Sequence, residues 1–297
     1  MSTPADHARL SLNQITTNRW SLAEALQGCL RAGLPAIGIW RHKIAEVGLA
    51  ESRRLVREAG LRVSSVCRGG MFPAATAEER ALRIEDNRRA LDEAAELGTD
   101  TLVLVCGPPP DRDLPAARCM VEDAIAQLVP YARERKIRMA IEPLHPMYAA
   151  ERSCITSLEE ANALAEKFPP DAVGVVIDVY HVWWDVVLDR EIARAGHRIR
   201  GFHVCDWLVP TPDMLLGRGM MGDGCIDLHR IHRQVEAAGY AGFIEVEILN
   251  QAIWDQPGDE VLERMKQRYR SCVLTDEFPR SHGFHATRPA SLSPAPK

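Results

Sequence analysis

The stretch VGVVIDVYH at residues 173–181 is a short apolar strand pattern that ends on a carboxylate, Asp178. Three neighbouring stretches share its layout: RMAIEPLHP (138–146) ends its apolar run on Glu142, IRGFHVCDW (199–207) carries His203, and GFIEVEIL (242–249) carries Glu247. Separations of 36, 25 and 44 residues between these four positions each accommodate one strand, one helix and the loops between them. That is the repeat of an eight-fold β/α barrel of roughly 250 residues.

Working outward, eight apolar runs at 9–14, 35–40, 61–67, 100–106, 137–142, 173–179, 199–205 and 242–248 read as strands. Amphipathic stretches near 21–33, 48–60, 77–98, 115–136, 157–168, 188–196, 227–239 and 257–273 alternate with them, the pattern of helices wrapped around a parallel sheet. Helix ends are legible locally: Ser21 opens a helix that Gly33 closes, and Ser157 with Glu160 makes a capping box. The fold class is therefore α/β, a single-domain (β/α)8 barrel over residues 1–275. The Pro-, Ser- and His-rich stretch 276–297 reads as a mobile C-terminal tail.

With 46% hydrophobic and 26% charged residues among 297, the chain can bury a full core. A net charge of −5 gives no electrostatic case for nucleic acid, whose phosphates demand clustered Lys and Arg, so a small molecule is the expected partner. No apolar run approaches the length of a membrane span and the first residues lack a signal-peptide core, which sets the expectation of a cytoplasmic protein. Eight cysteines lie scattered without a CxxC pair, read as reduced and mostly structural.

Alternate strand residues point into a closed barrel. On that basis Ala140 and Glu142 share the inward face of strand five, Val176, Asp178 and Tyr180 that of strand six, and Gly201, His203 and Cys205 that of strand seven. Strand eight offers both Glu245 and Glu247; Glu247 is nearer the mouth, while Glu245 sits a layer deeper and needs a partner such as Arg200. Asp and Glu are rarely buried unless paired or metal-bound, and several charges converging in one layer would repel without a cation. Glu142, Asp178, His203 and Glu247 are thus the candidate ligands of a divalent ion, an oxygen-rich set suited to manganese, magnesium or cobalt more than to a thiolate-built zinc site.

Around them stand candidate substrate contacts. His145 and His181 follow the ligand positions closely; Trp40, Trp183, Trp184 and Trp207 fall at strand ends, where an aromatic face can pack on a sugar. The segment 208–226, LVPTPDMLLGRGMMGDGCI, is too long for a routine turn and reads as an active-site loop, with Arg218 placed to reach over the mouth. Asp206 and Arg68 are further polar candidates.

The segments IEPLHP, IDVYHVWWD, FHVCDW, GRGMMGDGCIDL and GYAGFIEVEI, in this order and strand context, make the chain resemble the xylose isomerase-like barrel superfamily, often labelled sugar phosphate isomerase/epimerase. That group includes ketose 3-epimerases, inosose isomerases and dehydratases and, more distantly, endonuclease IV. The resemblance implies one divalent ion held by Glu142, Asp178, His203 and Glu247, supports Glu247 over Glu245, and aligns His181 and Arg218 with substrate-binding positions. The trinuclear zinc site of the endonuclease branch would lack ligands here, since Cys67, Cys106, Leu216 and Arg218 stand near its extra positions. The implied activity is a metal-dependent isomerase or epimerase acting on a keto sugar, sugar phosphate or keto-cyclitol, with Glu142 and Glu247 moving protons. The alternative is a lyase acting on an inosose or a 3-keto-glycoside, and the remaining one is a non-catalytic sugar-binding protein. The ion implied is manganese, with magnesium, cobalt or zinc as substitutes. Dimers or tetramers are common among such relatives, and the absence of a Gly-rich phosphate cradle favours an unphosphorylated substrate.

Overall fold

A computed structural model describes residues 7–275. The expected tail, 276–297, lies outside the described residues. Eight parallel strands close into a barrel: β1 (Leu10–Asn13), β2 (Ala36–Trp40), β3 (Arg62–Gly70), β4 (Thr101–Val105), β5 (Arg138–Ile141), β6 (Val173–Asp178), β7 (Ile199–Val204) and β8 (Ile244–Val246). They run around the barrel in chain order, and β8 returns to β1 through the pair Ser11 and Glu245. Helices form the outer layer, so the protein is a single (β/α)8 barrel.

Local chemistry explains the joints. Ser21 Oγ accepts from Glu24 N while Glu24 Oε2 accepts from Ser21 N at 2.7 Å, starting the helix Leu22–Ala32, and Gly33 ends it at φ 68°. The predicted box at Ser157 forms only in half. Glu160 N donates to Ser157 Oγ at 3.2 Å, but the Glu160 carboxylate takes Thr156 N instead and pairs with Arg118. The helix expected near 48–60 is Leu49–Ala59, and a further short helix, Arg41–Val47, precedes it; Gly48 separates the two by turning the chain at φ 87°.

Strand β3 extends three residues past the expected end at 67. Glycines at 69 and 70 suggest a stop, yet Asn87 on the helix Ala77–Glu96 supplies the missing bonds: Gly70 N donates to Asn87 Oδ1 at 2.6 Å and Asn87 Nδ2 donates to Gly70 O at 2.8 Å. Pairing between β3 and β4 skips one residue, from Cys67 opposite Val103 to Gly69 opposite Leu104, which leaves Arg68 as the extra residue of a bulge.

Two apolar regions follow from strand alternation. Outward residues such as Leu10, Leu12, Ile37, Ile39, Ile141 and Ile177 pack beneath the helices in the main core. Inside the barrel, Cys67, Val103, Ala140 and Val176 meet the half-buried Trp40. Above this small apolar plug the inward positions become polar. Tyr180 departs from the expected inward face, because the chain turns into the short helix Val179–Val182 directly after Asp178 and the ring joins the outer core. No helix among the described residues is long and apolar enough to cross a membrane, and no disulfide joins the cysteines.

Candidate metal centre

The strands bring the four predicted ligands together at the C-terminal mouth. Glu142 follows the last residue of β5, Asp178 ends β6, His203 lies in β7, and Glu247 follows β8. One ligand atom from each falls within 4.8 Å of all the others, and all four residues are buried. His203 Nδ1 is 3.2 Å from Glu142 Oε1 and 3.6 Å from Glu247 Oε2, but neither contact has hydrogen-bond geometry from the imidazole. Glu142 Oε1 and both His203 nitrogens are buried with no hydrogen-bond partner among the described residues. Native structures seldom leave such atoms unmatched, and an ion coordinated by Glu142, Asp178, His203 and Glu247 would satisfy them. A hard, oxygen-rich set with one imidazole fits a divalent cation.

Glu245 occupies the layer beneath. It stands opposite His203 in the β8 to β7 register, with its Oε2 3.6 Å from His203 Nε2. Its expected partner Arg200 is elsewhere: the guanidinium donates to the Pro170 carbonyl, and Asn13 Nδ2 serves Glu245 instead at 3.0 Å. Residues 245 and 13 both point inward, whereas Arg200 alternates away from His203 and cannot enter. A proton on Nε2, facing Glu245, leaves the Nδ1 lone pair at the mouth for a cation.

Charge in the layer is uneven. Burial pushes the Glu142 carboxyl up to about 7, with Glu247 and Asp178 adding to the rise against the contact with His203. Burial acts on Glu247 in the same sense, but the Arg218 guanidinium and His203 outweigh it and hold the acid at about 2. Burial lowers His181 to about 3, so its ring is neutral. For His203 burial opposes the cation, yet Glu245, Glu142 and Glu247 carry it well above the usual range.

Arg218 lines the cavity at the mouth but is buried more deeply than a loop residue need be: it is 6% exposed, and Arg218–Gly219 pairs with Asp206–Trp207 in a two-stranded antiparallel ribbon that directs it inward. Its Nη1 donates to Asp178 Oδ2 at 2.8 Å and to Glu247 Oε2 at 2.9 Å, and the guanidinium lies 4.6 Å above the Tyr180 ring. Nη2 is 3.1 Å from His181 Nε2, whose other nitrogen accepts from His145 N at 3.2 Å.

A cavity above the four residues is lined by Glu142, Glu247, His181, Arg218, Trp40 and Arg68. Trp40 is fixed by donation from Nε1 to Asn13 Oδ1 at 2.7 Å. Trp183 and His145 do not line this cavity; they pack in an aromatic group around Trp207, with ring centroids 5.6 and 5.2 Å from it. Asp206 is corrected from substrate contact to loop anchor, since its buried carboxylate accepts from the backbone N–H groups of Trp207, Gly222 and Ile226. Three lining or supporting residues escaped the sequence reading. Asn13 carried the same signal as the others, a polar residue ending an apolar strand run, whereas Tyr148, in the short 3-10 helix Pro146–Tyr148, and Arg152, in the turn after it, had no periodic pattern to reveal them.

Residues 26–271 match the family described as the xylose isomerase-like TIM barrel. The chain belongs to that family. It is 26% identical over 272 residues to a 3-dehydroshikimate dehydratase of Pseudomonas aeruginosa, a match that covers 88% of this chain but only 41% of the dehydratase. It is 24% identical over 221 residues to the 3-dehydro-D-guloside 4-epimerase of Escherichia coli, covering 69% of this chain and 79% of the epimerase. A crystal structure of a protein from Sinorhizobium meliloti 1021 shares 51% identity at a TM-score of 0.87, over 89% of this chain and 98% of that one. The IolI protein with a bound zinc atom superposes at a TM-score of 0.77 with 17% identity, a likeness of fold. The relatives of this chain thus include an epimerase and a dehydratase, and the present chain carries a buried Glu/Asp/His cluster that could hold a metal ion.

Proposed function

We propose that the protein is a divalent-metal-dependent isomerase or epimerase of a keto sugar or keto-cyclitol. The observation that carries this reading is the convergence of Glu142 and Glu247, from strands on different sides of the barrel, with Asp178 and His203 beneath one cavity. Manganese is the ion expected at Glu142, Asp178, His203 and Glu247, with magnesium, cobalt or zinc as substitutes. When bound, such an ion supplies electrophilic polarisation of a carbonyl and stabilisation of the enediolate charge.

The chain's own residues provide the rest. Glu142 and Glu247 flank the cavity, so one carboxylate can take the proton beside the carbonyl while the other delivers a proton to the opposite face, as a C3 epimerisation requires. A 1,2-isomerisation uses the same pair through a cis-enediol. Arg218, His181 and Trp40 line the cavity, which supports a role for the arginine, with His181 beside it, in orienting substrate oxygens and for the tryptophan in packing on the apolar side of a ring. The family supports a small carbohydrate or cyclitol as partner.

A lyase reading draws on the dehydratase relative. The same carbanion expels a neighbouring hydroxyl or aglycone if one is present, with Glu142 or Glu247 protonating the leaving oxygen. Elemental analysis of purified protein, followed by incubation with keto sugars and inososes in heavy water, tests both. An isomeric product with deuterium at carbon supports the isomerase, and loss of water or aglycone supports the lyase. Glu142→Gln should lower turnover by roughly 100-fold or more; a variant at full activity would end this mechanism.

A further inference from the structure

Three arginines approach the cavity, and only one of them is neutralised. Arg218 is bound to Asp178 and Glu247. Arg68 and Arg152 line the same cavity, both half-buried, yet neither has a carboxylate within ion-pair distance or a side-chain hydrogen bond among the described residues. Among the other partly buried arginines, Arg41 holds Asp86 and Glu93, Arg118 holds Glu160 and Arg198 donates to three carbonyls, whereas Arg264 and Arg270, both away from this cavity, keep a buried Nε without a partner among the described residues.

Both side chains are placed by irregular backbone. Arg68 is the additional residue of the β3 bulge, next to Cys67, which points into the barrel plug. A bulge bends the strand locally and re-aims a side chain. Arg152 follows the turn after β5, and its guanidinium lies 5.4 Å from the centroid of the Tyr148 ring, which limits where it can swing. Burial, then the charge of Arg68, holds the Arg152 guanidinium below its usual range. Two partly desolvated cations beside each other are an arrangement that an anion relieves.

We infer that the substrate carries a carboxylate, held between Arg68 and Arg152 while its keto carbon faces Glu142 and Glu247. This deepens the functional reading above and rests on it for the keto carbon. Planar guanidinium forks match a carboxylate in two parallel hydrogen bonds. Phosphate sites commonly add backbone N–H groups at a helix N-terminus, and the lining here comes from side chains of strand ends and loops. The ligand class is therefore a keto sugar acid or a cyclic keto acid.

The test is binding to manganese-loaded protein, followed by calorimetry, of 5-keto-D-gluconate, neutral D-fructose and D-fructose 6-phosphate. Wild type should bind the ketogluconate roughly tenfold or more tightly than fructose. The double variant Arg68→Gln with Arg152→Gln should lose that preference while keeping its metal content, and the double lysine variant, which keeps charge but not the fork, should retain part of it. Equal binding of fructose and ketogluconate by wild type, no binding of ketogluconate, or a preference that survives in the glutamine variant would overturn the inference. Tighter binding of fructose 6-phosphate than of ketogluconate would replace the carboxylate with a phosphate ester. Lack of metal or of deuterium exchange would sink the functional reading instead. The carboxylate preference, scored by binding alone, is judged separately.

Discussion

The guanidinium of Arg218 donates to the carboxylate of Asp178 at 2.8 Å across 40 residues of sequence, and the same nitrogen reaches Glu247. A residue from the loop after β7 thereby offsets two of the buried negative charges that a cation would otherwise have to balance. Breaking a buried pair from one side leaves an uncompensated charge and costs about 3–5 kcal/mol. Arg218→Gln should therefore lower the melting temperature of the metal-free protein, and saturating manganese should raise the variant's melting temperature by more than it raises that of wild type. Equal metal-induced shifts in both proteins would show that Arg218 and the ion do not share those carboxylates.

Gly38 lies against the deeper glutamate. A Cβ at this position would stand 2.3 Å from Glu245 Oε2, inside any real contact. Gly38→Ala should displace Glu245 from Asn13 and from beneath His203, at about 1–3 kcal/mol of stability. If Glu245 orients the imidazole, metal affinity should also fall roughly 10- to 100-fold, as for other outer partners of metal-bound histidines. Calorimetric unfolding and a manganese titration read the two effects separately; unchanged affinity would reduce Glu245 to a packing role.

Two tyrosines latch the loop over the cavity. Tyr148 Oη and Tyr180 Oη both donate to the Met214 carbonyl, the latter at 2.9 Å, and Leu215 lines the cavity beside it. Each phenylalanine replacement should cost about 1 kcal/mol of loop closure. Limited proteolysis should cut the segment 208–217 faster in Tyr180→Phe and Tyr148→Phe, and fastest in the double variant. Cleavage at the wild-type rate in all three would mean that the loop is held by other contacts.

Far from the mouth, Arg41 bridges Asp86 and Glu93 on the helix Ala77–Glu96. Its hydrogen bonds hold the Asp86 carboxyl below its ordinary value. A carboxylate depressed in the folded state contributes stability that is present above the unfolded pKa, near 3.9, and is lost as the pH falls through the folded value. Asp86 is 42% exposed, so solvent screening limits its share to about 1 kcal/mol or less. The difference in urea midpoint between wild type and Arg41→Gln should be present at pH 7 and shrink below about pH 4; a gap that widened on acidification would contradict the assignment.

The residue order alone specified a closed β/α barrel, because strand and helix periods repeat locally eight times and a charged residue interrupting an apolar strand run is visible without any long-range contact. For the same reason Glu142, Asp178, His203 and Glu247 could be named as one inward layer from alternation and spacing. The tertiary structure alone decided what fills the space around them. Arg218 turns inward because a two-residue ribbon with Asp206–Trp207 redirects its loop, Glu245 takes Asn13 instead of Arg200 because barrel closure sets β1 beside β8, and Asp206 spends its carboxylate on three loop amides. Arg68 and Arg152 meet at one cavity through a bulge and an irregular turn, neither of which has a sequence period. Periodicity reports on repeated backbone geometry, so it reveals the strand-borne ligands; contacts made by loops depend on how distant segments are brought together, and only the closed barrel fixes that.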